Sequence, residues 1–118
     1  MKQINLKTIL SQTCSETKEK TLEFSELLQS RLAVEFDNSV MFECRASESC
    51  REFKWYFGEI ELSDDTKYQT RRNGDTFWLR ITDLTLEDAG IYSCGIQDNR
   101  GRRAFTSAEL RVAGLSQF

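Results

Sequence analysis

The sequence predicts an all-β domain, an antiparallel β-sandwich, and three observations support this prediction. Apolar and polar residues alternate in short stretches from Leu22 onward, and a period of two is typical of strands that bury one face. Turn signals separate these stretches at roughly even intervals. No amphipathic stretch of helical length appears after residue 30. Together these patterns predict seven to nine short strands in a sandwich or barrel.

The first half of the domain contains four predicted strands. They lie at residues 22–24 with 27–28 close behind, at 32–34, at 40–46 and at 53–57. The third is the clearest, because Phe42 and Cys44 point to one side while Met41 and Glu43 point to the other. Turns are predicted at residues 37–38 and 58–59, where short polar residues or glycine break the alternation.

The second half contains the remaining strands. They are predicted at residues 67–71, a weaker edge strand, and at 77–81, 90–96 and 104–112. Asn73-Gly74 indicates a hairpin turn, because both residues tolerate a positive φ, and residues 99–101 indicate a second one. Residues 85–88 can form one short helical turn before the strand that contains Ile91.

Composition and motifs exclude several classes of function. The net charge of −3 gives no reason to expect a wide basic face for nucleic acid. No apolar run approaches the ~18 residues that span a bilayer, so membrane insertion is not expected. The chain has no histidine, which is the commonest general base and zinc ligand, and no G-x-S-x-G or P-loop motif. The sequence therefore predicts a protein that is not an enzyme and uses no cofactor.

Two groups of carboxylates are the remaining candidates for a metal site. Asp64 and Asp65 are adjacent, and Glu59 and Glu61 come shortly before them. A calcium site would need more oxygen ligands arranged as a cage. The pattern favours a solvated acidic edge without metal and without a catalytic residue.

Four features of the predicted strands coincide. Cys44 and Cys94 lie on two strands fifty positions apart, and Trp55 follows Cys44 by eleven positions. Leu79 and Ile81 alternate ahead of an acidic turn. The segment that follows this turn reads Asp88-Ala89-Gly90-Ile91-Tyr92-Ser93-Cys94.

These residues make physical sense as the centre of a sandwich. Trp55 between the two sheets buries a large apolar area against the cysteines. The Tyr92 hydroxyl can cap the backbone at a strand corner, and Gly90 gives the backbone room at the bend. Asp88 can pair with a cation on the neighbouring edge strand, for which the candidates are Lys67, Arg71 and Arg72.

On these residues the chain resembles the immunoglobulin superfamily, in particular its I-set domains. The resemblance runs from about residue 22 to residue 112, and it implies a Greek-key sandwich. The glycine that is usual near residues 37–38 is missing. We therefore expect a domain at residues 22–113, with a flexible N-terminal lead-in or linker at 1–21 and a short C-terminal tail at 114–118.

The four cysteines allow three complete pairings. The resemblance implies a disulfide between Cys44 and Cys94. The remaining two, Cys14 and Cys50, either form a second bridge or stay as unpaired thiols. In a reducing cytosol even Cys44 and Cys94 would remain buried thiols.

The resemblance implies a binding module rather than an enzyme. The segment from Thr82 to Gly90 is most similar to the domains of muscle and cytoskeletal proteins of the titin, obscurin and twitchin type. We therefore expect a protein-binding and structural module of a larger scaffold, located in the cytoplasm or cytoskeleton, whose partners are cytoskeletal proteins or neighbouring immunoglobulin-like domains. The alternative is an extracellular domain of a cell-surface adhesion or receptor protein. Residues 1–10 do not form a secretory signal, because polar residues interrupt any apolar core.

Two places are candidates for partner binding. Arg100, Arg102 and Arg103 crowd a hairpin tip and can form a basic knob for an acidic partner or for phosphate groups, or they are charged only for solubility. Trp78 is predicted to point outward, because its neighbours on the strand point inward. An outward tryptophan is a plausible contact residue, unless the N-terminal segment covers it.

Overall fold

The computed structural model describes residues 22–115, which contain nine β-strands in two sheets. The strands are β1 (Phe24–Glu26), β2 (Arg31–Val34), β3 (Ser39–Ala46), β4 (Glu52–Phe57), β5 (Ile60–Leu62), β6 (Tyr68–Asn73), β7 (Thr76–Thr82), β8 (Gly90–Gln97) and β9 (Arg103–Ala113). A single 3-10 turn at Leu86–Asp88 precedes β8 within this range. The all-β prediction is confirmed. The predicted lead-in at 1–21 and residues 116–118 lie outside the described residues.

The strands form a sandwich of a four-stranded and a five-stranded sheet. The first has the order β1-β3-β7-β6, and the second has the order β2-β9-β8-β4-β5. Among the described strands, β2 and β9 pair in parallel and all other neighbours are antiparallel. The first two strands therefore belong to different sheets, and they close the sandwich on one side.

Alternation in the sequence places the core between the sheets. The fully buried large side chains are Trp55, Tyr92, Phe42, Phe77, Leu79, Ile81, Leu84, Leu110, Cys44 and Cys94. They come from β3 and β7 of one sheet, β4, β8 and β9 of the other, and the loop before β8. Phe57 stacks on Tyr92, with ring centroids 4.6 Å apart and an interplanar angle of 9°. Such contact adds to the stabilisation from buried area.

The cysteines of the core are thiols, so the expected disulfide between Cys44 and Cys94 is wrong for this structure. The two residues face each other from opposite sheets, and both are fully buried. A hydrogen bond with Cys44, together with burial, raises the pKa of the Cys94 thiol. The thiolate that oxidation requires is therefore disfavoured. Cys50 is also a buried thiol, whereas its suggested partner Cys14 lies outside the described residues.

Two local features differ from the prediction. The edge strand β5 was not predicted, because three residues are too few to show alternation. The first turn lies at Glu35-Phe36 rather than at residues 37–38, and Phe36 adopts a positive φ of 73°. This backbone conformation favours glycine, and Phe36 lies close to the position where the family that the sequence resembles usually has a glycine.

Candidate functional site

The hairpin between β8 and β9 is organised by one buried carboxylate. Asp98 accepts hydrogen bonds from the backbone N–H of Arg100 at 2.9 Å, from that of Arg102 at 2.9 Å, and from Nε of Arg102 at 2.6 Å. Nη2 of Arg102 also lies 3.5 Å from Oε1 of Glu48. Burial would raise the pKa of Asp98, but the hydrogen bonds from Arg102 and Arg100 lower it below its usual value. Asp98 therefore stays charged and fixes the loop.

The three arginines of the predicted knob are thus not equivalent. Arg102 is half-buried and holds the loop through Asp98 and Glu48. Arg100 and Arg103 are exposed. Arg103 is the first residue of β9 and lies beside a depression in the outer face of the five-stranded sheet. The structure brings no compact basic knob together from all three.

The aspartate before β8 and the tyrosine within it form a strand corner. The Tyr92 hydroxyl donates to the Asp88 carbonyl oxygen at 2.7 Å. The Asp88 carboxylate lies 2.7 Å from Nζ of Lys67 and accepts the backbone N–H of Thr85 at 2.8 Å. Of the three cations that the sequence offered, Lys67 is the partner. Gly90 lies at the bend with a positive φ of 151°, and a Cβ there would stand 2.6 Å from the Phe57 ring.

The acidic pair after β5 serves the backbone of the edge strand. Asp64 accepts the backbone N–H of Thr70 at 2.6 Å and its hydroxyl at 3.0 Å. Asp65 accepts the backbone N–H groups of Lys67 and Tyr68. Within residues 22–115 no group of three metal-binding side chains occurs. These carboxylates therefore cap the N–H groups of Tyr68 and Thr70 in β6, which would otherwise be open for pairing with another strand.

Trp78 lies on the outer face of the four-stranded sheet and is half-buried. Its cross-strand neighbours are Glu43 of β3 and Arg71 of β6. Arg80 is the next outward residue along β7 and pairs with Met41. The structure thus surrounds the predicted contact residue with charged side chains.

A second surface was missed at the sequence level. A depression of about 110 Å³ opens on the outer face of the five-stranded sheet, beside Lys54, Tyr56, Gly95 and Phe105. Phe105 is 59% exposed and lies over Gly95, where a Cβ would come within 2.5 Å of its ring. The alternation of β9 could have indicated an outward Phe105, but only the β8–β9 register places it over a glycine.

Comparisons with known proteins agree with this architecture. Residues 22–112 match the family model described as immunoglobulin I-set domain. The chain is 32% identical to titin of Drosophila melanogaster over 95 residues. This alignment covers 80% of this chain and, after rounding, 0% of the titin chain. It is 39% identical over 56 residues to cardiac-type myosin-binding protein C of Mus musculus, which covers 46% of this chain and 4% of that protein.

A solved structure, the titin M3 domain, superposes with a TM-score of 0.69 at 29% identity and covers 78% of this chain and 96% of that one. This chain therefore spans a very small share of the curated relatives, at most 4% of their length, but nearly all of the single titin domain. Among the described residues, no helix is long and apolar enough to cross a membrane.

Proposed function

Because this chain belongs to the immunoglobulin I-set family, we propose that it is a non-catalytic, protein-binding and structural module of a larger cytoskeletal or muscle scaffold protein. The observation that carries the proposal is the likeness to titin, which covers four-fifths of the chain in sequence and extends to the fold of the M3 domain. Its partners would be cytoskeletal proteins or neighbouring immunoglobulin-like domains in the cytoplasm.

The hydrogen bonds of the polar side chains support a binding function rather than catalysis. The carboxylates of Asp64, Asp88 and Asp98 each accept hydrogen bonds from the backbone or from a cation of the fold. They are therefore engaged in structure. Trp78 and Phe105, in contrast, present aromatic surface on the two outer faces of the sandwich, and such side chains are typical of interfaces.

Localisation in muscle tests the proposal. The full chain is fused to a fluorescent protein and expressed in striated muscle cells, with the fluorescent protein alone as the control. We expect the fusion to concentrate in a striated pattern, because a scaffold module binds proteins of the contractile apparatus. A diffuse distribution, the same as that of the control, would contradict the proposal.

The redox state of the thiols in the native source separates this proposal from the extracellular alternative. Alkylation with and without reduction, followed by mass measurement, counts the free thiols. Free Cys44 and Cys94 in a folded protein agree with a reducing compartment. A bridge between them in the native source would favour an adhesion or receptor protein.

A further inference from the structure

The outer face of the four-stranded sheet places a tryptophan among arginines. Trp78 lies between Glu43 and Arg71 in the cross-strand direction, while Arg80 and Met41 form the next pair along the strands. Met41 is 45% exposed although it is a large apolar residue. We refer to Met41, Glu43, Arg71, Trp78 and Arg80 as the Trp78 face.

The charge of this face is opposite to that of the whole chain. Arg71 and Arg80 are exposed, and neither side chain makes a hydrogen bond or an ion pair to another residue of the described range 22–115. Arg31 adds a guanidinium at the border, because its Nε donates to the Met41 carbonyl oxygen at 3.2 Å. Glu43 is the single carboxylate within the defined face, and Glu26, which lies at the same border as Arg31, has Arg45 at 3.8 Å. A locally positive surface on a chain of net charge −3 selects a partner of negative charge.

The residue types are those that dominate binding energy at interfaces. Tryptophan, arginine and methionine are enriched in the buried centres of protein–protein interfaces. The indole N–H of Trp78 has no hydrogen-bond acceptor in the part of the chain that the structure describes. Trp78 therefore offers both an apolar ring surface and a donor to a partner.

The nearby sheet edge is not available for the same purpose. Asp64 caps the backbone N–H of Thr70 in β6, at 2.6 Å. A strand that was added beside β6 would have to displace this carboxylate. A partner at this side of the domain is therefore directed across the face of the sheet rather than along its edge.

We propose that the Trp78 face binds an acidic protein segment that carries one large apolar side chain. This rests on the proposed function, since it names the partner chemistry of a protein-binding module. The apolar side chain packs on Trp78 and Met41, and carboxylates of the segment pair with Arg71 and Arg80. Adjacent strands lie about 4.8 Å apart and alternate residues about 6.8 Å apart, so these carboxylates lie roughly 5–7 Å from the apolar contact.

Selection of random short peptides displayed on phage, with the immobilised full chain as target, tests the proposal. We expect the enriched peptides to be net negative and to contain a tryptophan, phenylalanine or leucine between the acidic residues. The dissociation constant of the best synthetic peptide should rise when NaCl is increased from about 50 mM to about 500 mM, because salt screens exposed charges. Enrichment of neutral or basic peptides, or no enrichment, would overturn the proposal.

Matched variants locate the binding site of the selected peptide. Arg71→Glu combined with Arg80→Glu is expected to weaken binding at least about tenfold, and Trp78→Ala by a similar factor. Arg111→Glu reverses an exposed charge on the other sheet and is expected to leave binding within about twofold. Thermal unfolding checks each variant. Because Trp78 is half-buried, the double arginine variant decides the matter if Trp78→Ala unfolds.

Other outcomes assign the face differently. Equal binding by the double variant and the original chain would overturn the proposal. Self-association of the chain that is abolished by Arg80→Glu would also overturn the proposal, because a second copy of the chain would then occupy the face. Enrichment of peptides that match residues 1–21 would overturn it as well, because the occupant would then be the chain's own N-terminal segment. A chain that concentrates in the striated pattern of muscle cells but selects no acidic peptide keeps the proposed function and loses only this surface.

Discussion

Replacing Tyr92 by phenylalanine removes one hydroxyl from the core and leaves the ring contacts in place. The hydroxyl donates to the Asp88 carbonyl oxygen at 2.7 Å, and Tyr92 is fully buried. The rings of Phe57 and Phe42, with centroids 4.6 and 5.4 Å from that of Tyr92, still pack against a phenylalanine. The apolar area is therefore conserved, and the change isolates the contribution of the hydroxyl.

The expected cost follows from the buried acceptor. A typical hydrogen bond contributes about 1 kcal/mol net, but a buried group left without a partner costs about 1–3 kcal/mol. We expect Tyr92→Phe to lower the free energy of unfolding by about 2 kcal/mol, which corresponds to a fall in Tm of roughly 8–16 °C for a domain of this size. Urea unfolding followed by tryptophan fluorescence measures the loss, and the dependence on urea should keep its slope.

A matched control uses the tyrosine on the outer face. The hydroxyl of Tyr56 has no hydrogen-bond partner among residues 22–115, and the side chain is only half-buried. Tyr56→Phe is expected to change stability by less than about 0.5 kcal/mol. If Tyr92→Phe costs as little as Tyr56→Phe, the strand corner does not depend on this hydrogen bond, and the reasoning is refuted.

Four further predictions concern the core, a turn, a loop and pH. Trp55→Ala should cost about 3–5 kcal/mol, because Trp55 is 1% exposed between the sheets; near-native urea unfolding would contradict its place in the core. Phe36→Gly should add about 0.5–1 kcal/mol by relieving the positive φ of a mostly exposed residue; a lower Tm would show that the ring makes contacts that outweigh the strain. Arg102→Ala should lower the Tm more than Arg103→Ala does, because Arg102 holds the buried hairpin carboxylate; equal effects would count against that role. The free energy of unfolding should fall as the pH rises above about 8.5, by up to about 1.4 kcal/mol per pH unit for one thiol, because folding raises the pKa of Cys94 and only the unfolded chain then releases the proton. A free energy of urea unfolding that stays constant between pH 8 and 10 would disprove this prediction.

Much of the fold could be predicted because burial repeats every second residue. The strands β3, β7 and β9 are each seven or more residues long and bury alternate residues over most of their length, so the period of two is visible in the amino-acid sequence. The strand β5 has three residues and an exposed Ile60, which leaves no period to detect. The turn at Phe36 was placed two residues late, because nothing in the sequence marks a phenylalanine as the residue with positive φ.

The candidate site was harder to predict, because it depends on register and not on spacing along the chain. An outward Trp78 follows from alternation, but its neighbours Glu43 and Arg71 follow only from the pairing of β7 with β3 and β6. Asp98 lies close to three arginines in the sequence, but the sequence does not show which of them its carboxylate binds. The hairpin geometry decides this, because it turns two backbone N–H groups and one guanidinium toward the same carboxylate.

Adjacent arginines therefore have different tasks in this domain. Arg72 donates to the Cys50 carbonyl oxygen at 2.6 Å and lies 5.3 Å from the centre of the Phe77 ring, so it closes one end of the sandwich. Its neighbour Arg71 points to the outer face beside Trp78. Successive side chains of a strand point to opposite faces, which is why one arginine serves the fold and the next one meets solvent.

The hairpin between β8 and β9 repeats this division at the start of β9. Arg102 is bound to Asp98 inside the loop, while Arg103 begins the strand and is exposed. A charge reversal at Arg72 or Arg102 therefore acts first on stability, and one at Arg71 or Arg103 acts on the surface potential. A simultaneous reversal of neighbouring arginines would mix the two effects. Binding at either sheet face can be measured cleanly only when the outward member of each pair is changed alone, because the structural partner then continues to hold the backbone that positions it.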